Sequence, residues 1–408
     1  MNQDNQQLTA GYDILLAQDQ PLSPKEMREV IMGKLGAQCN YTEVEGKKRI
    51  IYHNGSKDII IFAKAITYLG NPHPIFKKRI QIPKYWIEDA VSLSKLGYDV
   101  RFIGVYHFEG FIIFADFVKD SYIQHQCNNS AAHIYINDLY QGDLYDYFSK
   151  IDQNGNEIRT ISNRKFAQYL QGEMAESNLF KLFAQFNYGF CFGEWLTAID
   201  AIQEMHQKHW SQWRQAEWAG WFLEYRFSHF TEKDEIHPYI QYTALTHKSS
   251  HDPDVFDFDI WFPAHRFYGD LKASDKSKKE TPGNDQIAFV ECLKKYGKFW
   301  YVIYQHETIK DSDKDFEATL FRNKYLKEID NAPDSSFDPM SYHQRMKHSV
   351  KFTDMCILEI NRINLHSILS DFNQGRQPDG NPRNPKFKIN KKDIDNFVIY
   401  RYHHKDEQ

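Results

Sequence analysis

The stretch VFDFDIWFPAHRFYGDLKAS, residues 255–274, reads as two strands joined by a short turn. Aromatic and β-branched residues alternate with acids on both sides of Pro263-Ala264-His265, which interrupts the pattern. If the loop is Pro263–Arg266, Phe262 faces Phe267, Asp259 faces Asp270 and Asp257 faces Lys272. Opposed residues of an antiparallel pair share a face, as do side chains two apart. Three carboxylates and an ammonium then occupy one patch, with Phe256, Phe258, Ile260, Phe267 and Leu271 on the other, apolar face. Two facing aspartates repel unless positive charge lies between them. A hard divalent cation with oxygen ligands answers that need, and Mg²⁺ takes one or two carboxylates, waters and a phosphate oxygen. Lys272 projects to the same spot, where an ammonium positions or deprotonates a water and offsets charge on a phosphate. A surface hairpin with ordinary salt bridges has the same spacing.

The elements around this hairpin predict a mixed sheet flanked by helices, an α/β or α+β layered fold. A strand at 239–247 precedes it; a helix at 284–297 and strands at 298–307, 355–361 and 398–402 follow. Upstream, 163–188 and 194–230 carry long apolar-periodic runs without Pro, read as helices. Residues 40–160 are mostly β, an α+β or barrel-like pattern. Segments 48–53, 57–66, 99–108 and 110–118 are rich in Ile, Val, Phe and Tyr, and Glu109-Gly110 reads as a tight hairpin. Helices are expected at 24–36, with Ser23 as cap and Pro24 in first position, and at 85–96. A chain of 408 residues exceeds the roughly 250–300 at which single cores stop growing. We therefore expect a β-rich domain over 20–155 and a second domain over 160–408, divided in the polar, turn-rich 152–164.

With 41% hydrophobic and 26% charged residues, composition excludes a disordered chain. No run approaches the 18 or so apolar residues of a membrane span, and the polar N-terminus lacks the features of a secretory signal. Five scattered cysteines without a CxxC pair argue against a zinc site or disulfide framework, and suit the cytoplasm. The net charge of −5 counts mildly against nucleic acid, but an acidic metal centre lowers the total and only the charge facing DNA matters. Residues 374–392 form a local basic run.

Residues 253–307 resemble the core of the PD-(D/E)XK nuclease superfamily, best known from type II restriction endonucleases. The resemblance lies in an acidic strand, a hairpin, Asp270-Leu271-Lys272 as the D-x-K element, and then a helix and an apolar strand. It implies a restriction-endonuclease-like core that hydrolyses double-stranded DNA with Mg²⁺. Asp259 and Asp270 would bind the metal and Lys272 would assist the water; Asp257 and Asp254, in a literal Pro253-Asp254, are the alternatives to Asp259. The superfamily often has a glutamate on the helix before the first core strand, which points to Glu224 in 214–229 as a further metal ligand. Gln286, His306 and Glu307 are subsidiary candidates. Cutting both strands needs two such sites, hence a homodimer.

Contacts to DNA are expected from Lys276 and Lys278 after the hairpin, from the basic cluster Lys77, Lys78 and Arg79, and from Asn129, since Asn pairs well with adenine. The β-rich N-terminal half is compatible with the pseudobarrel recognition domains of several restriction enzymes. The same residues also suit a nuclease acting in repair, in transposition or on modified DNA, or a non-catalytic DNA-binding protein that kept the fold.

Overall fold

Glu109 and Gly110 both take positive φ, 49° and 80°, and join two apolar strands by the tight turn their sequence predicts. That hairpin lies in the first of two compact units of the computed structural model: Met1–Glu176 with Asp395–Phe397, and Ser177–Ile394 with Val398–Gln408. The structure describes residues 3–55, 57–123, 130–152, 154–174, 178–244, 255–330, 346–372, 384–392, 394 and 397–403. The units divide later than the polar stretch 152–164. Glu157–Ser162 within that stretch is a strand paired with Ile113–Phe117, so the chain has not yet left the first sheet.

The first unit opens with β1 (Asn5–Leu8), β2 (Ile14–Ala17) and α1 (Pro24–Leu35). Ser23 caps α1 in a reciprocal capping box with Glu26, and Pro24 takes its first position. β3 (Cys39–Val44), β4 (Lys47–His53), β5 (Asp58–Ala65), β6 (Thr67–Tyr68) and β7 (Lys77–Ile82) lead to α2 (Lys84–Lys95). β8 (Asp99–Phe108), β9 (Phe111–Phe117), β10 (Ser130–Tyr135), β11 (Tyr147–Ile151) and β12 (Glu157–Ser162) complete the unit's strands. The main sheet has the order β11-β12-β9-β8-β5-β4-β3, with β5 and β8 parallel. It is open: no pairing joins β11 to β3 among the described residues, so the barrel-like alternative is not the one adopted. Met27, Ile31 and Leu35 of α1 bury against Ile50, Ile59, Ile61 and Phe114.

The long helices expected at 163–188 and 194–230 are broken into shorter ones. α3 (Phe166–Leu170) ends the first unit; α4 (Asn178–Tyr188) begins the second, and a short strand, β13 (Trp195–Thr197), precedes α5 (Ala198–Gln207) and α6 (Trp218–Thr231). β14 (Gln241–Tyr242), β15 (Ile260–Phe262), β16 (Phe267–Asp275), β17 (Glu280–Asp285), α7 (Gln286–Tyr296) and β18 (Lys298–Lys310) follow, then β19 (Lys347–Asn361), β20 (Leu369–Phe372), β21 (Lys386–Asn390) and β22 (Val398–His403). The second sheet has the order β13-β19-β18-β16-β15-β14, with β22 also on β19, and β17-β21-β20 form a small sheet of their own. β16 and β18 are parallel, joined through β17 and α7; their neighbours are antiparallel. The fold is thus α+β, with mixed sheets, as the order of elements predicts.

Candidate functional site

The β15–β16 hairpin closes through residues 263–266, with Arg266 at φ 55° and its N–H donated to the Phe262 carbonyl at 2.7 Å. Phe262 pairs with Phe267 and Ile260 with Gly269, so Asp259 stands just outside the ladder, opposite Asp270. Gly269 is required there: a Cβ would lie 2.9 Å from the Trp300 carbonyl oxygen on the parallel neighbour. The strand before the turn is shorter than expected. Residues 255–259 leave the ladder and are held by side chains: Phe258 packs edge-to-face on Phe299 with centroids 4.9 Å apart, and Thr243 hydroxyl donates to the Phe258 carbonyl at 2.8 Å.

Four ionisable groups converge. The Leu271 N–H donates to Asp259 Oδ2 at 2.9 Å, tying that carboxylate to the backbone beside Asp270. Asp270 is 2% exposed, and its Oδ2 pairs with the Lys272 ammonium. Glu224 comes from α6, which packs along β16, and accepts a 2.6 Å hydrogen bond from the Tyr242 hydroxyl on β14. Tyr242 had no signal as a site residue: it is one of two tyrosines in YIQYT, and only folding places it beside Glu224.

The charges do not balance. Burial, with the negative fields of Asp270 and Glu224, pushes the Asp259 carboxyl well above the usual carboxylate range; Lys272 only partly opposes this. Burial lifts Glu224 to about 7, with a further push from Asp270, against the opposing Tyr242 hydrogen bond and Lys272 charge. Burial alone would lower Lys272, but Asp270, Asp259 and Glu224 outweigh it and raise its pKa. One ammonium therefore sits in the field of three carboxylates and stays protonated near neutrality.

Among the described residues, no three His, Cys, Asp or Glu side chains form a ready-made metal cage. The donor chemistry nevertheless fits Mg²⁺, which needs only one or two carboxylates beside waters and phosphate. Three carboxyl groups share one ammonium there, and a divalent cation would favour their ionised forms.

Other sequence candidates fall elsewhere. Asp257 is exposed and outside the strand, so the patch gains no charge from it, and Asp254 and Asn129 lie outside the described residues. Lys78, expected at DNA, is fully buried: its ammonium meets Asp19 Oδ1 at 2.7 Å, Asn5 at 2.5 Å and Gln7 at 3.1 Å. The alternation of β7 turns it inward, so it is a core ion pair and not a phosphate contact. Lys77 and Arg79, one residue to either side, are half-buried. Lys276 is engaged by Asp354 at 2.6 Å, while Lys278 is exposed. Gln286 donates to Asp371 and to the Lys386 carbonyl, within the small sheet. His306 is fully buried inside β18, and burial with Lys347 nearby lowers it to about 4.

A family model described as Methylase-associated X1 matches residues 57–170, within the first unit. No curated protein and no solved structure matches the chain. No helix among the described residues is long and apolar enough to cross a membrane.

Proposed function

We propose that this chain is a Mg²⁺-dependent endonuclease of a restriction-modification system, cutting double-stranded DNA at the β15–β16 hairpin. The observation that carries the reading is the convergence of Asp259, Asp270, Glu224 and Lys272 on one half-buried patch. The order of hairpin, helix and parallel strand around it supports likeness to PD-(D/E)XK nucleases. The methylase-associated match supports the restriction context, since such a system pairs a DNA methylase with a nuclease. This reading places the enzyme in the cytoplasm as a homodimer, one site for each strand.

Asp259 and Asp270 would hold Mg²⁺, with Glu224 as a third carboxylate. The bound ion would supply Lewis acidity toward the scissile phosphate. Lys272, kept charged by its neighbours, stabilises negative charge building on the phosphate and is not the base that the sequence alone also allowed. Glu224, titrating near 7 and fixed by Tyr242, is the group whose protonation changes at working pH.

The test is digestion of plasmid and phage DNA with and without Mg²⁺, followed by sequencing of the ends. Discrete Mg²⁺-dependent fragments support the proposal; intact DNA under all conditions, methylated and unmethylated, overturns it. Because the match is to a methylase-associated family, a nuclease restricted to modified DNA is the second reading. Fragments from methylated DNA alone would favour it.

A further inference from the structure

A second site lies in the first unit, where the main sheet splits. β4 pairs with β5 only from His53–Asp58 to Ile50–Ile61. Beyond that point β4 stays with β3 as far as Lys47, and β5 stays with β8 as far as Ala65. The two strands therefore part, and a cleft of about 280 Å³ opens between Lys47–Arg49 and Phe62–Ala63. Arg28 of α1 lines it from one side of the sheet, and Tyr85, Trp86 and Asp89 of α2 from the other.

Its chemistry is specific. Arg28, Lys47, Lys48 and Arg49 face a single carboxylate, Asp89. Asp89 is already engaged by Lys47 at 3.0 Å and Arg49 at 2.9 Å. Among the described residues neither Arg28 nor Lys48 is in an ion pair, although Glu43 stands across the ladder from Lys48, so the cleft's own lining carries four cations to one carboxylate. Two tyrosines stand at the cleft with exposed rings, Tyr85 at 54% and Tyr41 at 40%. Arg28 covers one face of Tyr41 at 4.3 Å, and Lys47 lies 6.0 Å from the Tyr85 ring. Surplus cations answer a phosphate; an exposed aromatic face answers a base; strand edges freed by the split offer hydrogen bonds to a base edge. The volume lies just below the roughly 300–1,000 Å³ of small-ligand pockets, the scale of one nucleotide and too small for a duplex.

We propose that this cleft takes one unpaired nucleotide of a DNA strand, its base against Tyr85 and its phosphate on Lys48 and Arg28. The proposal rests on the nuclease reading only in taking DNA as the substrate. It relocates the DNA contact of the first unit from Lys77–Arg79 to the split between β4 and β5.

The experiment is fluorescence anisotropy of the full chain with a short labelled single-stranded oligonucleotide and its paired duplex, in chelator so that nothing is cut. Binding of the single strand is expected to depend on the cleft, and binding of the duplex is not. Tyr85→Ala should weaken it about tenfold, the scale of one lost base stack, and Tyr85→Trp should retain it. Replacing both Arg28 and Lys48 by Ala should flatten the dependence of log affinity on log salt by about 0.7, the loss of one phosphate contact. Thermal unfolding checks that each variant folds; both Arg28→Gln and Lys48→Gln serve if the alanine pair does not. Affinity of Tyr85→Ala within about twofold of the parent would overturn the assignment, as would displacement of the oligonucleotide by inorganic phosphate alone. Cleavage lost in Asp270→Ala while Tyr85→Ala binds normally would sink this site and leave the nuclease reading standing; the opposite pattern would do the reverse.

Discussion

Two lysine–aspartate pairs, Lys78–Asp19 in the first unit and Lys272–Asp270 in the second, differ in the charges around them. Lys78 meets Asp19 with Asn5 and Gln7 completing its shell: one cation, one anion and two neutral amide acceptors. Burial opposes the charged form of Asp19, but Lys78 and the Tyr68 N–H outweigh it and hold that carboxyl below its usual value. Lys272 meets Asp270 with Asp259 and Glu224 beside it, and burial, with the negative fields of Asp270 and Glu224, leaves Asp259 well above its usual value. A balanced buried pair is at rest and holds strands together. On the nuclease reading, the acid-rich one is where a further cation would sit.

The sharpest way to break this contrast is to remove Asp270. We expect Asp270→Ala to lower Mg²⁺-dependent cleavage by about a thousandfold while DNA binding in chelator persists. Retention of cutting in a plasmid assay would show that the acidic patch is no catalytic centre. Lys78→Met should do the opposite. It leaves Asp19 partly buried without its cation, costing about 3 kcal/mol in urea unfolding, with oligonucleotide affinity unchanged. A stable Lys78→Met variant with weakened DNA binding would reverse the assignment of that lysine.

A pH profile gives a finer test. The folded protein holds a proton on Glu224 up to about 7, whereas an unfolded glutamate releases it near 4.5. The folded state thus binds more protons between those values, so this group makes stability fall as pH rises through that window. Cation affinity must move the other way, rising through about 7 as Glu224 ionises. Glu224→Gln should remove that leg from the Mg²⁺-binding profile. Tyr242→Phe, which deletes a hydrogen bond favouring the carboxylate, should shift it to higher pH. A profile unmoved in both variants would place the titrating group elsewhere. The smallest effect belongs to Asp257. Exposed and off the strand, Asp257→Ala should leave the cleavage rate within about twofold, since surface substitutions away from such features change little.

Much of this was legible from local pattern. Alternation and loop length place Asp259 opposite Asp270, because a hairpin's register follows from its turn. Glu109-Gly110 and the cap of α1 follow from residue chemistry in the same way. The broken helices were not legible, since apolar spacing persists across the turns that interrupt them. Nor was Lys78: KKR reads as a basic surface cluster until β7 is given an inside.

The sequence by itself determined the hairpin, the spacing of its acids and the lysine two residues beyond, because strand geometry repeats every second residue and needs no distant partner. Only the tertiary structure decided which lysine is neutralised and which is surrounded by acid. Tyr242, the packing of α6 against β16 and the parting of β4 from β5 belong to it as well. Charge balance in a protein interior depends on groups far apart along the chain, and no local pattern records who their neighbours will be.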